Sequence, residues 1–214
     1  RVRSSAASDV YKRQVEPGGR VAVLAANSRL MLEAHYGVPL ARAVLVALNM
    51  RLSAGELGHI LDHCGASVVL CDDELEPLAR EAVAASGGSA QVVASGGSAQ
   101  VVASAEYERL LADAPEVWHP VADERGLLSI NYTSGTTGRP KGVMYHHRGA
   151  YLQALAMAFH SQLTPDSVFL WTLPMFHCNG WCFTWAVTAA GARHVCLPRP
   201  DPAAVTAHVK HQPL

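Results

Sequence analysis

Short apolar runs alternate with helical patterns along most of this chain, and that alternation narrows its possible folds more than any other feature. The runs are RVAVLA at 20–25, VLVAL at 44–48, SVVLCD at 67–72, LLSINYT at 127–133, GVMYH at 142–146, VFLWTL at 168–173 and HVCL at 194–197. Each is strand-length and bounded by turn residues, as buried strands are. Between them, Ser28 is placed to cap a helix reaching about residue 41. Ser53 and Glu56 form a capping box, Leu57, Ile60, Leu61 and Cys64 keep helical spacing, and Gly65 supplies the C-cap. Further helices are predicted at about 73–85, 148–160 and 181–190, and Asp201 with Pro202 opens a last one. Strands joined through helices form βαβ units. The predicted fold is therefore α/β, with a mostly parallel sheet flanked by helices.

Composition excludes several function classes. The chain has 214 residues, half of them apolar and 16% charged, which is globular rather than disordered. Seventeen basic against 18 acidic residues give a net charge of −1, a poor basis for binding nucleic acid or an anionic membrane. Five cysteines are an odd number at no scaffold density, so a reduced, cytoplasmic setting is expected. Residues 167–192 carry no Asp, Glu, Lys or Arg and are long enough to span a bilayer. Pro174, His177, Asn179 and Gly180 in the middle would be costly there, so the segment reads as strand, loop and helix.

The ends and one internal stretch stand apart. Residues 1–14 (RVRSSAASDVYKRQ) lack an initiator Met and an apolar signal core, and read as a leader or a cloning scar. Residues 15–84 hold the first αβ units. ASGGSAQVV at 85–93 recurs identically at 94–102, so 85–104 is expected to be a flexible surface insertion without chemistry. Residues 105–214 continue the same domain. The chain stops after a helical pattern where another strand would follow, so it is expected to be a fragment of a longer protein.

The chemistry concentrates in TSGTTGRPKG at 133–142. Its glycines let backbone N–H groups converge on a ligand, and its hydroxyls add short donors. Lys141, one of only three lysines, adds a compact charge suited to phosphate oxygens. This is no Walker A loop: Pro140 precedes the Lys and Gly142 follows it, where that motif needs Gly and a hydroxyl. Other constellations have structural readings. Trp181 and Trp185, four apart, also fit one buried helix face, and His177 also fits an ordinary loop tip. His146 and His147 suit a helix cap or solvent. His59, His63 and Cys64 lack a second ligand pair, and Cys178 and Cys182 are spaced CxxxC, so zinc is not expected.

YTSGTTGRPKGVM at 132–144 resembles the signature phosphate loop of the adenylate-forming, AMP-binding superfamily: acyl-CoA synthetases, adenylation domains of peptide synthetases, and luciferases. LPMFHCNGWCFTW at 173–185 resembles the acid-pocket motif of its fatty-acyl-CoA synthetase branch, and residues 18–72 resemble its first αβ units. The resemblance covers roughly 15–210 and implies an incomplete part of the family's large N-terminal domain. It also implies a two-step reaction. A carboxylate, expected to be a medium- or long-chain fatty acid, attacks the α-phosphate of ATP and releases pyrophosphate; the acyl-adenylate is then opened by the thiol of coenzyme A. Fixed donors and a cation stabilise the developing charge, a task shared with Mg²⁺.

By the same resemblance, Thr133, Ser134, Gly135, Thr136, Thr137, Gly138 and Lys141 hold ATP phosphates. Lys141 and His177 are the candidate catalytic residues. His177 lies near the reacting carboxylate, Trp181 matches the gate of the acyl tunnel, and Asn179 and Gly180 shape that bend. The family's later nucleotide motif, ribose-binding Asp, hinge and C-terminal Lys are absent from these residues, so the chain by itself is not expected to turn over. Homodimerisation of a longer parent stays open. So do two other readings: an aryl-acid ligase or peptide-synthetase adenylation domain, and a non-catalytic nucleotide-binding relative.

Overall fold

A computed structural model describes residues 15–86, 100–103, 120–133 and 140–211. Strands β1 (Arg20–Leu24), β2 (Val44–Ala47), β3 (Ala66–Cys71), β4 (Gln100–Ala103), β5 (Leu127–Thr133) and β6 (Lys141–His146) form one sheet, in the order β4-β3-β1-β2-β5-β6. Its pairings are parallel except the antiparallel β5–β6 hairpin. Strands β7 (Val168–Trp171) and β8 (Arg193–Cys196) form a separate parallel pair. The helices are α1 (Arg29–Leu40), α2 (Ala54–Cys64), α3 (Glu76–Ala85), α4 (His147–His160), α5 (Phe183–Ala189) and α6 (Pro202–His211).

Local chemistry sets these boundaries. The Ser28 hydroxyl accepts from the Met31 amide at the start of α1. Ser53 and Glu56 close both bonds of the capping box that opens α2, and Gly65 ends α2 in the left-handed region at φ +63°. The period-two alternation of the strands divides the interior into two layers. Val21, Val23, Leu45 and Leu70 face α1 (Met31, Ala34, Val38) together with Trp171 and Met175. Ala22, Leu24, Val46 and Val69 face α2 and α3 (Leu57, Ile60, Leu61, Ala79, Ala82). A fully buried Val or Leu contributes about 1.5–3 kcal/mol, so burial on both faces carries most of the sheet's stability.

Three expectations differ from the structure. The first is the insertion at 85–104: Ala85 ends α3, and Gln100–Ala103 pairs with β3 from Val68↔Gln100 to Cys71↔Ala103. The Val-Val pair of the second copy thus serves as an edge strand despite its Ser- and Gly-rich surroundings. Second, Asp73–Leu75 is a 3₁₀ turn ahead of α3 rather than its first turn. Third, the helix expected at 181–190 begins only at Phe183, after a turn of opposite hand. Residues 1–14, 87–99, 104–119, 134–139 and 212–214 lie outside the described residues, and with them the leader, most of the repeat and Ser134 to Gly138 of the loop.

Helix α4 exposes Tyr151, Leu152, Leu155 and Phe159, the last at 80%, and β6 exposes Val143 and Met144. Among the described residues no helix is long and apolar enough to cross a membrane.

Candidate active site

The phosphate-type loop is the connection of the β5–β6 hairpin. Thr133 and Lys141 are paired across the antiparallel ladder, so both ends of the intervening segment are anchored. Behind Lys141, Gly142 sits where a methyl would lie 2.9 Å from Ile130 Cγ2 and 3.4 Å from Tyr132 Cζ, so only Gly lets those side chains cross the hairpin. The Tyr132 hydroxyl in turn shares a 2.6 Å hydrogen bond with His63 Nδ1, tying the root of the loop to α2. Lys141 is exposed and, among the described residues, has no ion-pair partner.

Register then places the second motif. Ser129↔Tyr145, Asn131↔Val143 and Thr133↔Lys141 are successive alternate pairs, so all six residues share one face of the hairpin. The segment 171–184 packs on that face, clamped by buried amides. Asn27 donates from Nδ2 to the Trp171 (3.0 Å) and Leu173 (2.8 Å) carbonyls and accepts at Oδ1 from the Met175 amide (2.8 Å). Asn131 donates to the Phe176 carbonyl at 3.1 Å, and the side-chain amide of Asn179 meets Ser129 Oγ at 3.0 Å.

The clamped segment ends in an unusual turn. Cys178, Asn179, Gly180, Trp181 and Cys182 have φ of +50°, +52°, +58°, +55° and +63°, a left-handed turn in which only one residue is Gly. L-residues resist this region by roughly 1–2 kcal/mol each, so the surrounding contacts must hold it. Asn179 and Gly180 are buried, whereas His177 is exposed and Trp181 is 60% exposed. Trp181 and Cys178 face Met144, Tyr145, Gly149 and Gln153 across a cleft of about 460 Å³, within the range of small-ligand sites. Burial, and then the neighbouring Cys178, push the Tyr145 phenol above its ordinary range.

His177 and Trp181 thus reach the surface beside the cleft, and Asn179 and Gly180 act from beneath it. The exposure of Trp181 removes the reading that it packs with Trp185 in the core; Trp185 is half-buried and donates to the His35 carbonyl at 3.1 Å. His146 caps α4, accepting at Nδ1 from the Gly149 amide. Sequence reasoning missed Asn27, Ser129, Asn131, His35 and Tyr145. One signal was available: Ser129, Asn131 and Thr133 form a period-two polar stripe in an otherwise apolar strand. The contacts of Asn27 and His35 span more than a hundred residues and leave no local trace. Among the described residues no group of three His, Cys, Asp or Glu is placed to hold a metal ion.

The β5–β6 hairpin and the cleft beside it stand together on one α/β sheet. The AMP-binding enzyme family model matches residues 3–213, and the chain belongs to that family. It is 40% identical over 209 residues to the peroxisomal acetate/butyrate–CoA ligase AAE7 of Arabidopsis thaliana, and 36% identical over 206 residues to 4-hydroxybutyrate–CoA ligase 2 of Metallosphaera sedula. Those alignments take in 89% and 91% of this chain but 37% of each relative, so the chain spans little over a third of their length. Among solved structures, the inhibitor-bound N-terminal domain of FACL13 from Mycobacterium tuberculosis superposes with a TM-score of 0.83 at 27% identity, covering 96% of this chain and 51% of that one. ATP-bound MatB from Rhodopseudomonas palustris shares the fold, with a TM-score of 0.80 at 23% identity over 97% of this chain and 40% of that one.

Proposed function

We propose that this chain forms the phosphate-loop and acid-pocket portion of an AMP-forming acid–CoA ligase, with 15–84 and 105–214 as parts of one domain. The observation that carries the reading is the hairpin register. It sets Lys141, at the rim of the loop, on the same face as the turn bearing His177 and Trp181. An ATP held by Thr133, Ser134, Gly135, Thr136, Thr137, Gly138 and Lys141 then meets a carboxylate lying in the cleft. Attack on the α-phosphorus expels pyrophosphate, whose growing charge the loop amides and Lys141 stabilise. The coenzyme A thiol next attacks the acyl carbon and AMP leaves. Mg²⁺, riding on the triphosphate, would add charge neutralisation.

The acid we favour is a small monocarboxylate. The named acids of the relatives run from acetate and butyrate to 4-hydroxybutyrate and benzoate, and Trp181 stands at the cleft. The medium- or long-chain fatty acid expected from sequence is the second reading, favoured by the likeness to a fatty acyl CoA synthetase of Mycobacterium tuberculosis. ATP–pyrophosphate exchange in the longer protein carrying this segment separates them. Exchange supported by butyrate but not by dodecanoate is expected; the reverse selects the long-chain reading, and exchange with amino acids alone would sink both. We place the protein in the cytoplasm. Several relatives are named as peroxisomal, and a tagged protein found in peroxisomes would revise that assignment.

A further inference from the structure

Beneath the acid turn, Asn179 Oδ1 and His35 Nε2 are buried with no hydrogen-bond partner among the described residues. Both residues are essentially inaccessible, and the side-chain amide of one faces the imidazole of the other. The other ring nitrogen, His35 Nδ1, lies 2.7 Å from the Met31 carbonyl, which can only accept. Nδ1 therefore carries the proton, and in a neutral ring Nε2 is an acceptor. A carbonyl-type oxygen opposed to an acceptor nitrogen in a dry interior is unfavourable for both. Turning the Asn179 amide end for end resolves both atoms together. Nδ2 then donates to His35 Nε2, and Oδ1 accepts from the Ser129 hydroxyl, which stands 3.0 Å from that amide.

We propose that His35 is a positioning residue for the acid pocket. The relay Ser129 → Asn179 → His35 → Met31, each group donating to the next, pins the left-handed turn that presents His177, Cys178 and Trp181. The proposal rests on the acid-ligase reading. Three surrounding contacts fit it. Thr184 Oγ1 donates to the Asn179 carbonyl at 3.2 Å, Tyr36 Oη donates to the Thr184 carbonyl at 2.5 Å, and Trp185 Nε1 donates to the His35 carbonyl at 3.1 Å. Consecutive residues of α1 thus grip both the turn and the helix that follows it. Burial holds the His35 imidazole neutral, lowering its pKa to about 4.

The relay has a direct spectroscopic signature. In the ¹⁵N-labelled 214-residue chain, an N–H···N hydrogen bond between Asn179 Nδ2 and His35 Nε2 gives a through-bond ¹⁵N–¹⁵N coupling. The expected result is that coupling, together with a neutral ring protonated at Nδ1 between pH 5.5 and 8, a range flanking the ordinary histidine value. A ring protonated at Nε2, or no coupling, overturns the relay. The positioning role is read in the longer enzyme. His35→Met should raise KM for the acid by about tenfold, the cost of one buried hydrogen bond, with KM for ATP unchanged. His35→Gln, which keeps an acceptor near the Nε2 position, should restore it. Unchanged acid KM in an active His35→Met enzyme, or equal rises for acid and ATP, overturns the role alone. A wild-type enzyme without acid-dependent exchange overturns the ligase reading and the role with it, while the coupling still reports on the relay.

Discussion

Replacing Gly180 by Ala probes the tightest contact at the site. Gly180 has φ +58° and ψ +38°, and a methyl there would lie 2.4 Å from Trp171 Cζ3 and 2.8 Å from Cη2. The indole has nowhere to retreat. It is fully buried, lies coplanar with the His194 ring, donates from Nε1 to His194 Nδ1 at 3.0 Å, and meets the Phe169 ring at a centroid distance of 4.9 Å. Left-handed backbone at an Ala costs about 1–2 kcal/mol and overpacking a filled core about 1–3 more, for a loss of about 2–5 kcal/mol. Gly191→Ala is the internal control. Its φ is +72°, but the nearest atoms to its methyl would be 3.8 Å away, so it should lose only the backbone part. Urea unfolding of both variants, compared at equal m-value, should place Gly180→Ala about 1–3 kcal/mol below Gly191→Ala. Equal losses would show that the turn is not wedged against Trp171.

Three further outcomes follow from named contacts. Asn27→Leu removes three hydrogen bonds to 171–175 and should cost about 3 kcal/mol in urea unfolding, since the freed Trp171 carbonyl and Met175 amide stay buried; a loss below about 1 kcal/mol would contradict the clamp. His35 is buried with its pKa lowered to about 4 from the ordinary 6.5, so the unfolded chain binds a proton that the folded ring refuses. Its contribution is full above pH 6.5 and should fall by about 3 kcal/mol as pH drops toward 4; urea midpoints should show a smaller decline in His35→Gln, and identical pH curves would refute this. Lys141→Ala should slow ATP–pyrophosphate exchange in the longer enzyme by about ten- to a hundredfold, as expected for loss of a charge-assisted bond, with the acid KM unchanged; an unaltered rate would remove Lys141 from the phosphates.

Much of the scaffold was legible because its causes are local. Apolar runs such as RVAVLA, the Ser53–Glu56 capping box and Gly65 each specify their element within a few residues, and the structure agrees at each. The site was legible as a motif but not as a shape. Asn179-Gly180 is a turn dipeptide, and Asn tolerates positive φ better than most residues. Nothing nearby, however, indicates that Cys178, Trp181 and Cys182 follow into the same region. That requires Trp171 beneath Gly180 and Ser129 beside Asn179, contacts made only once the sheet has formed. The strand Gln100–Ala103 was obscured for a related reason: a short Val-Val segment in a Ser- and Gly-rich repeat pairs because β3 offers an open edge.

Transfer of oxygen from the acid to AMP tests the proposed chemistry most directly. Carboxylate attack on the α-phosphorus, followed by thiol attack on the acyl carbon, leaves one carboxylate oxygen on the departing AMP. With ¹⁸O-labelled butyrate, ATP and coenzyme A, the longer protein should yield AMP carrying one ¹⁸O and unlabelled pyrophosphate. Label appearing in inorganic phosphate, with ADP as the nucleotide product, would mean attack at the γ-phosphorus and would contradict an adenylate-forming site built on Thr133–Lys141.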